Sequence, residues 1–183
     1  HIPFHDRRTI ESAVREWKGR NVAGILLNGD ILDFYQASKY SKDPSKPRVK
    51  AEIEKGRQLL EYLRAEFPRA RLVYKLGNHD ERLALYLADR APELFDLEEV
   101  HLPSLLRLKD HGVDHVGDKR VIMLGKLPVI HGHEYRGGGG VMPSRPPMLL
   151  APTPRLTVDV GPPNSGSSHS TLARWTVRNS ETV

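Results

Sequence analysis

The sequence predicts an α/β fold, with a layered mixed β-sheet and flanking helices, over residues 1–136. Three observations support this. Helical and strand-like segments alternate along the chain. Two short apolar runs, at residues 22–27 and 71–76, each end at a glycine-containing turn rich in polar side chains. The total of 183 residues is long enough for one domain with a sizeable core.

The helices are predicted from apolar residues that recur at helical spacing. Residues 6–18 begin at a plausible N-cap, Asp6, and end at Gly19. Residues 47–67 form a longer amphipathic segment with a charged outer face, which Pro68 stops. Residues 81–90 give the third helix.

Short helical pieces are predicted in residues 92–108, with breaks at Pro92 and Pro103. Two further strands, at residues 120–124 and 127–130, are joined by a Gly-Lys turn. The resulting order is helix, strand, helix, strand, helix and then a strand pair.

The character of the chain changes at Gly137. Four consecutive glycines are followed by a segment that holds seven of the 14 prolines and no lysine. We expect residues 137–183 to form a Gly/Pro/Ser-rich irregular tail, with residues 172–177 as its only ordered patch. A shifted reading frame in a GC-rich gene is a hypothesis for this switch, which resequencing the parent gene would test.

Composition limits the kinds of site that the chain can build. The absence of cysteine excludes disulfides and thiolate ligands, so a metal must be held by His, Asp, Glu or Asn, which favours Mn, Fe or Zn. No apolar run approaches the length of a membrane span, and a cytoplasmic location is expected. The net charge of +5 is compatible with an anionic substrate or with an ordinary basic surface.

The two turns carry residues suited to a two-metal site. Asp30 follows the first strand, and a carboxylate there could bridge two ions. After the second strand, Asn78 offers an amide oxygen and His79 an imidazole that could protonate a leaving alkoxide, with Asp80 placed to hold that ring. Ordinary turns, with Asp80 as the N-cap of the next helix, are the alternative.

Over residues 1–136 the chain resembles the calcineurin-like metallophosphoesterases, and it is most similar to their bacterial and phage members. Gly29-Asp30-Ile31-Leu32-Asp33 and Gly77-Asn78-His79-Asp80 match the Gly-Asp-x-x-Asp and Gly-Asn-His-Asp/Glu blocks of that family. His131 matches the histidine that follows a strand, within His-Gly-His-Glu. His1 resembles the histidine of the Asp-x-His block, so we expect a truncated N-terminus, with the missing Asp two residues upstream.

The resemblance implies hydrolysis of a phosphate mono- or diester by a metal-activated water at a site with two divalent ions, Mn preferred to Fe or Zn. One ion would be held by His1 and Asp30, and the other by Asp30, Asn78 and His131. His79 would act as general acid with Asp80 as its partner. Three other residues would support ligands or contact substrate: Asp33, His133 and Arg82.

The last block of the family, Gly-His-x-His, has no counterpart after residue 137. The alternative function is therefore a catalytically impaired homologue that binds nucleic acid or a phosphoprotein, and a third is a single-metal or structural site. The expected partner is a phosphate-ester substrate, including a nucleotide or nucleic acid.

Overall fold

The computed structural model shows an α/β fold with helices and a parallel sheet of three strands. It describes residues 1–117 and 120–133, together with the backbone of two later strands. The helices are α1 (Arg7–Lys18), α2 (Val49–Glu66), α3 (Arg82–Arg90) and α4 (Leu102–Leu105), with single 3-10 turns at Tyr35–Ala37, Pro92–Leu94 and Glu98–Val100. The strands are β1 (Val22–Asn28), β2 (Arg71–Lys75), β3 (Val113–Val116), β4 (Val121–Leu124), β5 (Leu127–Val129), β6 (Leu156–Val160) and β7 (Trp175–Arg178).

The first sheet has the strand order β3-β2-β1-β6. β1, β2 and β3 are parallel to one another, and β6 pairs with β1 in the antiparallel sense. A second sheet has the order β5-β4-β7. Because β1 and β2 are parallel, the loops that follow them leave from the same edge of the sheet.

The two faces of the parallel sheet bury side chains in different layers. Alternate residues of a strand point to opposite faces. Ile25 and Leu27 therefore belong to one apolar cluster with the helical residues Val14 and Leu60, whereas Leu26 belongs to another. That second cluster includes Val73 of β2, Ile122 of β4 and Val129 of β5. Helices thus cover one face of the sheet and the second sheet covers the other.

Most predicted elements are confirmed with small shifts at their ends. Asp6 caps α1, and its carboxylate accepts the backbone N–H groups of Arg8 at 2.9 Å and Thr9 at 3.3 Å. Gly125, with a φ of 60°, makes the turn between β4 and β5. The predicted break at Pro103 is wrong: this proline lies in the first turn of α4, where its missing N–H has no partner to lose.

Two differences concern strands. β3 was not predicted, because its middle residues Asp114 and His115 are exposed and only two of its four residues are apolar. Within the predicted irregular tail, the structure describes the backbone of β6 and β7, and the other residues of that segment lie outside the described part. Among the described residues, no helix has both the length and the apolar character needed to cross a bilayer.

Candidate metal centre

The loops after β1 and β2 touch through two glycines. A Cβ atom on Gly77 would lie 2.3 Å from Asp30 Oδ1 and 2.4 Å from the Asp30 backbone nitrogen. A Cβ atom on Gly29 would lie 2.9 Å from the Gly77 Cα and 2.3 Å from His131 Cδ2. Gly29 also has a φ of +77°, which other residues rarely adopt. Glycine at both positions therefore lets the two predicted motifs approach each other.

The Asp30 carboxylate lies at the centre of this contact. Its Oδ1 accepts the backbone N–H of His79 at 2.8 Å. Its Oδ2 faces three imidazole Nε2 atoms, from His131 at 3.5 Å, His1 at 3.7 Å and His79 at 3.9 Å. Those separations are too long for strong hydrogen bonds.

The same separations suit a shared cation. Two ligands bonded to one ion at about 2.0–2.2 Å lie roughly 3–3.6 Å apart, and a small adjustment brings these atoms into that range. Ligand atoms of His1, Asp30 and His79 all lie within 4.8 Å of one another. A mixed imidazole and carboxylate set fits Mn, Fe or Zn. The residues present therefore fit a divalent metal ion.

Asp33 orients two of these imidazoles. Its Oδ1 accepts from His79 Nδ1 at 2.7 Å and from His1 Nδ1 at 3.2 Å. Because the carboxylate is an acceptor, both rings carry hydrogen on Nδ1. The Nε2 lone pair of His1 faces Asp30, whereas that of His79 accepts a hydrogen bond. Arg82 Nη2 donates to the Nε2 of His79 at 2.8 Å, and Arg82 Nη1 donates to the Asp33 backbone oxygen at 2.8 Å.

Backbone pairing holds His1 beside the loop that follows β1. The Ile2 N–H donates to the Ile31 backbone oxygen at 2.7 Å, and the Asp33 N–H donates to the Ile2 oxygen at 2.9 Å. Ile2 is also 2 % exposed, so it anchors the segment in the core. The backbone hydrogen bonds and the burial of Ile2 therefore fix the position of His1, in addition to the contacts that the His1 ring makes itself.

Asn28 positions the third histidine and was not predicted to have a role. Its side chain is buried, and its Nδ2 donates to the Ile130 backbone oxygen at 3.0 Å, just before His131. His131 Nδ1 lies 2.9 Å from His133 Nδ1, which places His133 next to the centre. The sequence did contain a signal for this role, since Asn28 is a polar residue at the end of an apolar strand. Asn78 lies on the wall of an adjoining cleft with His133.

The structure corrects the predicted role of Asp80. Its side chain is 2 % exposed, and both of its oxygens accept hydrogen bonds from groups other than the His79 ring. Oδ2 accepts the backbone N–H groups of Asp30 at 2.7 Å and Gly77 at 2.9 Å, while Oδ1 accepts Leu32 N–H at 3.0 Å and Tyr74 O–H at 2.8 Å. The prediction that Asp80 holds the His79 imidazole is therefore wrong, and Asp33 does so instead.

The reason is that the turning backbone leaves buried N–H groups that need an acceptor. Asp80 supplies that acceptor to both loops at once. Burial raises its pKa to about 6, although the hydrogen bonds that it accepts act in the opposite direction. Asp80 therefore joins the two loops.

No family model, no curated protein and no solved structure is significantly similar to this chain. The resemblance to the metallophosphoesterases therefore stays a prediction, and the function is argued from the site itself.

Glu52 supports the centre from within α2. It is fully buried, and its Oε2 accepts the backbone N–H of Phe34 at 2.6 Å, directly after Asp33. Phe34 has a φ of 47°, so this hydrogen bond stabilises an uncommon turn. Burial raises the pKa of Glu52 to about 7.

We predict a pH-dependent stability that Glu52→Gln removes. Since the folded state keeps the Glu52 proton to higher pH than the unfolded chain does, the free energy of unfolding of the wild type falls from about pH 4.5 to about pH 7. Compared with Glu52→Gln, the wild type should lose up to about 3 kcal/mol of its free energy of unfolding across this pH range. Urea denaturation of both proteins across this range measures it.

The control is Glu54→Gln, which changes an exposed carboxylate on the same helix. Its stability difference from the wild type should stay flat across the same pH range. Equal pH profiles for the wild type and Glu52→Gln would contradict the prediction.

Proposed function

We propose that the protein is a metal-dependent phosphoesterase that hydrolyses phosphate mono- or diesters. The observation that carries this proposal is the convergence of three imidazole Nε2 atoms, at 3.5–3.9 Å, on one oxygen of Asp30. Asp30, His1 and His131 would hold the metal, and His79 lies beside it. The second ion and the role of Asn78 as its ligand rest on the family resemblance.

A bound divalent cation neutralises charge on a phosphate ester and lowers the pKa of water. The protein's own contribution is to fix the groups around it. The His79 N–H holds one Asp30 oxygen, so the other oxygen stays directed at the imidazoles. Asp33 sets the ring orientation of His1 and His79. This fixed arrangement removes the cost of ordering the ligands when the metal binds.

His79 and Arg82 are the groups that would act on the substrate. In its protonated form, His79 would carry a proton on Nε2, 3.9 Å from Asp30 Oδ2, and could deliver that proton to a leaving alkoxide. Arg82 donates to that same nitrogen at 2.8 Å when the ring is neutral, so a proton on Nε2 would release the guanidinium to pair with a phosphate oxygen. In this proposal His79 is the general acid, and Arg82 contacts the phosphate.

The test is hydrolysis of p-nitrophenyl phosphate and bis(p-nitrophenyl) phosphate by the purified chain with Mn²⁺. Asp30→Asn and His79→Gln should each lower kcat/KM by roughly 100-fold or more, since even residues that only support metal ligands contribute about 10- to 100-fold. Asp110→Asn is the matched control, because Asp110 is exposed. Its activity should equal that of the wild type.

Calorimetric titration with Mn²⁺ separates binding from chemistry. Asp30→Asn should also lose Mn²⁺ affinity. A wild type that binds Mn²⁺ and hydrolyses neither ester would contradict the proposed activity and favour the alternative of a binding module.

A further inference from the structure

A large open cleft adjoins the candidate metal centre. Its volume is ≈ 1260 Å³, above the roughly 300–1,000 Å³ of typical small-molecule pockets. One wall is the loop at residues 37–42, and the other is α3. Asn78 and His133 also line the cleft. The space therefore suits an extended ligand that reaches the centre from one side.

Two side chains connect the cleft with the centre. Arg82 lines the cleft and also donates to His79 Nε2 at 2.8 Å and to Asp33. His133 lines the cleft and lies 2.9 Å from the Nδ1 of His131. A phosphate in the cleft could thus contact Arg82 while it approaches the Asp30 cluster.

The walls expose aromatic rings on both sides. Tyr40 on the loop is 66 % exposed, and Tyr86 on α3 is 46 % exposed. Exposed tyrosines that line one cleft provide flat surfaces that bases can stack on. The loop that carries Tyr40 is held in shape by Lys42, whose Nζ donates to the backbone oxygens of Ser38 and Tyr40.

Cations accompany the rings. Lys39 is exposed, and its Nζ lies 5.6 Å from the centre of the Tyr40 ring. Arg90 lies at the far end of α3 on the same cleft, where its exposed guanidinium also pairs with Asp89 at 2.9 Å. The cleft is lined by four basic side chains and two acidic ones: Lys39, Lys42, Arg82, Arg90, Glu81 and Asp89. This excess of positive charge favours a polyanion over a neutral ligand.

We infer that this cleft binds single-stranded nucleic acid and delivers its phosphodiester to the metal centre. Bases stack on Tyr40 and Tyr86, and the backbone contacts Lys39 and Arg90. The inference deepens the proposed phosphoesterase function and rests on it for the reaction. A phosphopeptide would need the cations but not two exposed rings, so the tyrosines favour nucleic acid.

The experiment measures binding without turnover. Fluorescence anisotropy of a labelled oligothymidine is recorded with the full chain in EDTA, against the same strand annealed to its complement. We expect tighter binding of the single strand and a loss of affinity as salt rises. Tyr40→Ala and Tyr86→Ala should each weaken binding roughly 5- to 100-fold, and the Tyr→Phe variants should stay within about twofold.

Charge variants give the second readout. Lys39→Ala should reduce the slope of log affinity against log salt by about one. Lys109→Ala is the control, because Lys109 is exposed and does not line the cleft. It should leave the affinity and the slope unchanged.

The outcomes separate the two proposals. If Tyr40→Ala and Tyr86→Ala bind as the wild type does, if the duplex binds as tightly as the single strand, or if only a phosphopeptide binds, the inference is overturned. Hydrolysis of nitrophenyl esters without oligonucleotide binding would overturn the inference and leave the phosphoesterase proposal intact. Tyrosine-dependent binding without ester hydrolysis would support the cleft and count against the phosphoesterase.

Discussion

Replacing Asp80 with alanine is expected to destabilise the fold and disrupt the candidate metal centre in one step. The carboxylate accepts three backbone N–H groups, from Asp30, Leu32 and Gly77, together with the Tyr74 hydroxyl. Each buried donor left without an acceptor costs about 1–3 kcal/mol. We expect a loss above about 4 kcal/mol in the free energy of unfolding, which is exceptional for one substitution.

Two milder variants remove only some of the hydrogen bonds of Asp80 and should destabilise the protein less. Asp80→Asn keeps one acceptor oxygen for the Asp30 and Gly77 N–H groups, and its NH₂ can donate to the Tyr74 oxygen. The Leu32 N–H loses its acceptor, and the Tyr74 hydroxyl must turn its own hydrogen elsewhere. The expected cost is about 1–3 kcal/mol. Tyr74→Phe removes one hydroxyl and leaves all three backbone bonds, so it should cost about 1 kcal/mol.

Urea denaturation measures the series, and Mn²⁺ calorimetry follows the site. Asp110→Ala, at an exposed position, should lie within about 0.5 kcal/mol of the wild type. An Asp80→Ala protein that unfolds like the wild type and binds Mn²⁺ equally well would show that the two loops do not depend on this carboxylate.

Gly77→Ala is the second substitution with a large expected effect. The added methyl would lie 2.4 Å from the Asp30 backbone nitrogen, and backbone cannot move aside as a flexible side chain can. The loops must separate, which breaks the bond from the His79 N–H to Asp30 Oδ1. We expect a stability loss of about 1–3 kcal/mol and a Mn²⁺ affinity lower by roughly 100-fold.

Gly117→Ala provides the matched control, because no atom of the residues that the structure describes lies within 4 Å of the Cβ that it would add. It should bind Mn²⁺ as the wild type does. If Gly77→Ala retained full affinity, the close contact of the loops would not be required for the centre.

The sequence predicts the elements well where local chemistry decides them. The Asp6 cap and the apolar spacing of α1 act within one helix, so a single stretch of sequence contains the signal. The turns at Asp30 and His79 were also predictable, because polar residues directly follow apolar strands. These predictions did not depend on contacts with distant parts of the chain.

The roles of Asp33, Asp80 and Glu52 depend on contacts between distant segments. Asp80 is adjacent to His79 in sequence, yet it binds N–H groups that the folded loops bring to it. Glu52 did carry a signal: it lies three residues after Val49 and next to Ile53, on the apolar side of α2. A charged residue at such a position indicates a buried partner, which here is the Phe34 N–H.

The contact between Gly29 and Gly77 also limits how this protein can evolve. Neither glycine can change alone, and a residue inserted into either loop would shift Asp30 out of register with the histidines. Descendant sequences must therefore inherit the two loops as one unit. The loop at residues 37–42 contains no glycine, so substitutions there do not meet this limit. They could change what the adjoining cleft accepts while Asp30 and the histidines stay in place.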